Sequence, residues 1–216
     1  MVLTGTFLTA VAALAMSTSP GIRPATPPRI VAFGDSLTSG HGIGTAQAFP
    51  AVLQERLRDA GYTVQMVNAG VSGDTTGRAL QRLHDALLGD VRIVILALGV
   101  NDGLRGVPVA QVRTNLARII EAARARGIAV LLCGMEALPV YGWSYSVAFH
   151  QAYLDLARQY DLTLVPFLML RVLGNQALML PDRVHPNAAG ARVIADHVWP
   201  YLDALLVRSG YSRSAT

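Results

Sequence analysis

Short, nearly uninterrupted apolar runs alternate along this chain with segments whose apolar residues recur every three or four positions. Arg29–Gly34 is the first run and predicts a buried strand. Phe49, Val52, Leu53 and Leu57 then return at helical spacing, with Pro50 suited to a first turn and Gly61 to a stop. Tyr62–Asn68 predicts a second strand, and Leu80, Leu83 and Leu87 mark a helix. VRIVILALG, Val91–Gly99, has the continuous apolar character of a strand covered on both faces. Pro108 opens a further helix that presents Val112, Leu116, Ile119 and Ile120 on one side and ends at Gly127. Ile128–Gly134 predicts a fourth strand, Ser146–Tyr160 a helix, and Leu162–Pro166 a short fifth strand. Phe167–Pro181 has no clear period and reads as a loop with a helical turn. The last helix starts near Pro186 and runs to about Val207, with a kink expected at Pro200.

Strands that alternate with helices predict an α/β protein with helices on both faces of a parallel sheet. The expected form is a three-layer α/β/α sandwich, flavodoxin-like and doubly wound, of about five strands with right-handed crossovers. Ligands of such sheets bind beyond the carboxyl ends of the strands, where successive connections diverge to opposite faces. Chemistry is therefore expected in the residues that follow each strand.

Composition narrows the picture. The apolar share of 52 % is enough for a substantial core, and the charged share of 15 % argues against a long disordered tail. The formal charge is +4, and all 18 basic residues are arginine. Without lysine there is no Schiff base, no Ser-Lys dyad and no Walker lysine. The arginines are scattered and sit beside acids on patterned helices, so a nucleic-acid partner is not expected. The lone Cys133 lies in an apolar strand and excludes an intrachain disulfide. Val2–Met16 is apolar or small, and Ser17–Pro28 is rich in Ser, Pro and Thr. Residues 1–28 are thus expected to be a secretory leader and linker, with Ala13-Leu14-Ala15 as the cleavage candidate, although the first basic residue is only Arg23. Residues 29–208 are expected to form one domain and 209–216 a short tail. The expected location is periplasmic or secreted, with no stable membrane span in the mature form.

The strand ends carry polar residues. Gly34-Asp35-Ser36 follows the first strand, Asn68-Ala69-Gly70-Val71-Ser72-Gly73-Asp74 the second, and Gly99-Val100-Asn101-Asp102 the third; Asp182-Arg183-Val184-His185 precedes the last helix. Each has an ordinary structural reading: Ser36 as a helix cap, Gly70 and Gly73 as turn glycines, Asn101 and Asp102 as an Asx turn. Four such groups at one sheet edge are harder to explain singly.

FGDSLTSG, NAGVSGDTT, LGVNDGLRG and DRVHPN together resemble the four sequence blocks of the SGNH (GDSL-type) serine hydrolases, in that family's order. NDGLRG and LPVYG are similar to its branch of periplasmic multifunctional acyl-thioesterases, arylesterases and lysophospholipases. The resemblance implies Ser36 as nucleophile and Asp182 and His185 as acid and base. It also implies an oxyanion hole made of Ser36 N–H, Gly70 N–H and the Asn101 side-chain amide. Val100 stands where the family commonly has glycine. The implied substrate is a short- to medium-chain acyl ester or thioester; a carbohydrate O-acetyl ester is the alternative, and non-catalytic acyl or glycan binding a third reading.

Elementary chemistry agrees with that assignment. A serine hydroxyl needs an adjacent base at neutral pH, and an imidazole supplies one. Pro186 pushes His185 out of helical geometry onto a loop, and Asp182, three residues earlier, can reach its other ring nitrogen. Leu104, Leu138, Pro139 and Tyr141 are candidates for an apolar acyl groove, with loop packing as the alternative. GHGIG at Gly40–Gly44 lacks the full spacing of a dinucleotide fingerprint, so no cofactor is expected. His41, His84, His150 and His197 are dispersed, and no metal is expected. His41, close to Ser36, is read either as pocket lining or as surface. Oligomeric state is not legible in the sequence.

Overall fold

The computed structural model describes residues 27–213. The expected leader falls almost wholly outside them. Five strands, β1 (Arg29–Gly34), β2 (Gln65–Gly70), β3 (Val91–Ala97), β4 (Ala129–Cys133) and β5 (Thr163–Val165), form one sheet in the order β2-β1-β3-β4-β5. Every pairing is parallel. This is the doubly wound arrangement that the alternation predicts, and β1 lies at its switch point.

The helices are α1 (Ser36–Ser39), α2 (Phe49–Asp59), α3 (Thr76–Gln81), α4 (Leu83–Ala86), α5 (Val100–Leu104), α6 (Val109–Arg124), α7 (Trp143–Tyr160) and α8 (Ala188–Arg208). α2 packs on α8 in one layer, and α6 packs on α3 and α7 in the other. Phe33, Leu53, Ile93, Ile95, Leu96, Leu132 and Ile194 are fully buried between the layers. Each such side chain contributes about 1.5–3 kcal/mol relative to exposure.

Several boundaries differ from the sequence pattern, each for a local reason. β2 starts at Gln65, not Tyr62, because Gly61 (φ +80°) ends α2 and the Tyr62 N–H returns to Leu57 O at 2.9 Å. The helix marked by Leu80, Leu83 and Leu87 is two short helices that meet at Arg82. Arg82 turns inward there: its guanidinium donates to Asp74 Oδ2 (2.6 Å), Ala69 O (2.9 Å) and Gly34 O (2.9 Å) and lies over the Phe33 ring. α7 begins at Trp143, three residues early. α8 begins at Ala188, capped by Asn187, whose Oδ1 accepts from Gly190 N–H. It continues through Pro200 to Arg208.

Candidate active site

The corner after β1 is tight. A Cβ on Gly34 would lie 2.0 Å from Thr38 Oγ1 and 2.7 Å from Ala97 O, so only glycine fits between β1 and α1. The cap of α1 is Asp35, whose Oδ1 accepts the Leu37 N–H at 3.0 Å. Ser36 is therefore not the cap. It is the first helical residue, its backbone N–H has no intrahelical partner, and its hydroxyl is free to point elsewhere. Burial pushes the Asp35 carboxyl up to about 7, helped by the charges of Asp102 and Asp74.

Asp182 and His185 lie in a turn between Leu180 and Pro186. Arg183 N–H donates to Leu180 O (2.9 Å), Leu180 N–H to His185 O (2.7 Å), and Pro186 bridges Met179. Asp182 Oδ1 accepts from the Val184 and His185 N–H groups at 2.9 and 3.0 Å, while Oδ2 lies 2.7 Å from His185 Nδ1. The His185 backbone N–H, then its ring, then the Val184 N–H hold the Asp182 carboxyl well below the usual carboxylate range. Across the sheet edge, His185 Nε2 lies 3.0 Å from Ser36 Oγ. With Nδ1 carrying its proton toward Asp182, Nε2 accepts from the serine hydroxyl. Carboxylate, imidazole and hydroxyl thus form a continuous series able to take a proton from Ser36 Oγ.

Asn101 lies in α5 and lines the same cavity as Ser36 and His185. Its Nδ2 is buried and has no hydrogen-bond partner among the described residues. Gly70 departs from expectation. Its N–H donates to Asn68 Oδ1 at 3.0 Å, and Asn68 Nδ2 in turn donates to Thr38 O at 2.8 Å. That donor is already committed, so it is not available to a ligand. Gly70 is glycine for a packing reason: a Cβ there would lie 2.3 Å from Ser39 N. Gly73, three residues later, has φ +80°, and no partner for its N–H occurs among the described residues. In the sequence Gly73 reads as a turn glycine, and its place beside Asp74 is the only signal of another role.

The other acids are structural. Asp74 is held by Arg82, and Thr75 caps α3. Asp102 accepts from Thr76 Oγ1 (2.7 Å) and Thr76 N–H (2.8 Å), and Asn115 completes the cluster. Cys133 is buried in β4, and burial pushes its thiol up to about 12.

The cavity beside Ser36 holds about 210 Å³. Leu104 and Leu138 line it, with Val100, Met135, Phe167, Met169 and Leu173. Pro139 and Tyr141 do not: Tyr141 packs edge-on to Tyr145 and donates to Leu104 O at 3.2 Å. The segment after β5, which has no sequence period, therefore supplies three wall residues that the pattern did not mark.

With this geometry in hand, the relatives of the chain are informative. Residues 32–193 match the GDSL-like lipase/acylhydrolase family. The chain is 42 % identical over 179 residues to the esterase TesA of Pseudomonas aeruginosa, covering 82 % of this chain and 89 % of that protein. It is 34 % identical over 186 residues to thioesterase 1/protease 1/lysophospholipase L1 of Escherichia coli K12, covering 85 % and 88 %. The crystal structure of TesA superposes with a TM-score of 0.78 at 41 % identity, over 82 % of this chain and 99 % of that one. The protein belongs to the GDSL-like lipase/acylhydrolase family and is a hydrolase of carboxylic esters or thioesters.

Proposed function

We propose that the protein hydrolyses short- to medium-chain acyl esters and thioesters through an acyl-enzyme on Ser36. The observation that carries this reading is the unbroken contact series Asp182 Oδ2–His185 Nδ1 (2.7 Å) and His185 Nε2–Ser36 Oγ (3.0 Å), opening on an apolar cavity. Ser36 Oγ attacks the acyl carbonyl as His185 Nε2 takes its proton. Asp182 keeps the ring in the right tautomer and offsets the imidazolium charge. The carbonyl oxygen becomes an oxyanion, and three donors without partners suit it: Ser36 N–H, Gly73 N–H and Asn101 Nδ2. Gly73 replaces Gly70 in this reading, because Asn68 occupies the Gly70 N–H. His185 returns the proton to the departing alcohol or thiol, and water then repeats the sequence to release the acid.

The side chains of Leu104, Leu138, Phe167, Met169 and Leu173 suit an acyl chain, and beyond Ser36, Asn101 and His185 the wall offers a sugar ring only Glu136 and Arg183 as polar side chains. This favours acyl esters over acetylated carbohydrate. A series of p-nitrophenyl esters run beside acyl-CoA and acetylated xylan tests the choice, and strong preference for xylan reverses it. Ser36→Ala is expected to lower p-nitrophenyl butyrate hydrolysis by more than about 10³-fold while butyrate-analogue binding persists. Undiminished turnover in that variant removes Ser36 as nucleophile. Export rests on the apolar run Val2–Met16; recovery of the protein only from the cytosolic fraction of its host counters it. No helix among the described residues is long and apolar enough to cross a membrane.

A further inference from the structure

The dispersal of histidines in the sequence hides a cluster in the fold. His41 sits in the loop after α1, and its ring centroid lies 4.3 Å from that of His185, tilted by 40°. One ligating atom each from His41, Asp182 and His185 all lie within 4.8 Å of one another. The His41 loop is seated there by packing: it touches Leu180, two residues before Asp182, so closely that a Cβ on Gly42 would lie 2.5 Å from Leu180 Cδ1. Gly40, Gly42 and Gly44 all have positive φ, so the loop combines this contact with small-residue freedom on either side of His41.

We propose that His41, Asp182 and His185 form a binding site for a divalent transition metal of the zinc type, and that metal bound there arrests hydrolysis. The inference rests on the triad reading above. Two imidazoles and a carboxylate are the donor set such ions select over magnesium or calcium. Donors around tetrahedral zinc stand about 3.4 Å apart, so Asp182 Oδ2 and His185 Nδ1, 2.7 Å apart without metal, separate modestly on binding while the exposed His41 ring turns in. Arrest follows from lone-pair accounting. The nitrogen of His185 that shares a side with Asp182 is Nδ1; Nε2 faces Ser36 instead. A metal on Nδ1 shifts the ring proton to Nε2, which then faces Ser36 Oγ as a donor and cannot take its proton. The base is thereby silenced, and no bond to substrate is made or broken.

The test is a zinc chloride titration in metal-free buffer, read by p-nitrophenyl butyrate hydrolysis and, separately, by calorimetry on the Ser36→Ala protein. Zinc is expected to bind Ser36→Ala at one strong site, to inhibit the wild-type protein, and to release it on addition of EDTA. His41→Ala, and His41→Gln as a second variant, are expected to hydrolyse the ester without zinc and to need more than about tenfold higher zinc for both effects. His150→Ala, which removes the other imidazole–carboxylate pair, His150–Glu136, is expected to leave the titration unchanged. Equal zinc sensitivity in the His41 variants, absence of zinc binding by Ser36→Ala, or loss of sensitivity in His150→Ala overturns the proposal. Absence of ester hydrolysis by the wild-type protein counts instead against the triad reading, because the calorimetric arm reports the metal site alone.

Discussion

The corner residues divide by whether their polar groups are already spent. Asn101 Nδ2, buried and unpartnered, is expected to show its worth in the reaction: Asn101→Ala should lower kcat by about 10²–10³-fold with little change in KM. Gly70 and Gly73 separate the same way. Gly70→Ala forces a Cβ to 2.3 Å from Ser39 N and should fail to fold stably, which thermal melting will detect. Gly73→Ala meets no atom closer than 3.9 Å. It should fold, with a cost of about 1 kcal/mol for the left-handed backbone; because the N–H itself remains, any loss of activity reports the added Cβ crowding the oxyanion. That Ser36, Asp182 and His185 meet was legible because their types and order form a known pattern. The commitment of the Gly70 N–H to Asn68 Oδ1, two residues away, leaves no trace in spacing.

At the scale of elements, the strands are set by apolar runs, but the pieces between them answer to contacts with other elements. The leucine spacing at Leu80, Leu83 and Leu87 is compatible with one helix. What divides it is Arg82, which ties the carboxyl ends of β1 and β2 together and neutralises the buried Asp74. Arg82→Met strips that carboxylate of its partner. It is expected to cost about 3 kcal/mol, seen as a fall in Tm of about 6–12 °C. Ester hydrolysis should fall with it, because the tied strand ends carry Ser36 and Gly73. The wall formed after β5 was equally hidden: Phe167, Met169 and Leu173 follow no period because they fit a cavity, not a helix face or a sheet.

For the whole molecule, the buried Asp35 makes stability depend on pH. Its carboxyl is raised from the ordinary 3.8 to about 7, chiefly by desolvation. The folded protein therefore holds a proton there that the unfolded chain gives up near pH 4. This contribution is fully present below about pH 4 and is lost as pH rises through about 7. Asp182, held low, has the opposite sign: its contribution is present above the ordinary carboxylate pKa and fades in strong acid. Urea melts of wild type and Asp35→Asn at pH 5 and pH 8 test the first effect; the gap between the two proteins should shift in favour of Asp35→Asn at pH 8. An unchanged gap shows that Asp35 is ionised throughout. The sequence by itself determined the parallel α/β architecture and the chemical types at the sheet edge, because alternation of apolar runs and local turn chemistry are short-range properties. Only the tertiary structure decided which donors are free, which residues wall the cavity, and that His41 stands against His185 across 144 positions of chain. Those outcomes depend on packing between segments remote in sequence, and no local pattern encodes them.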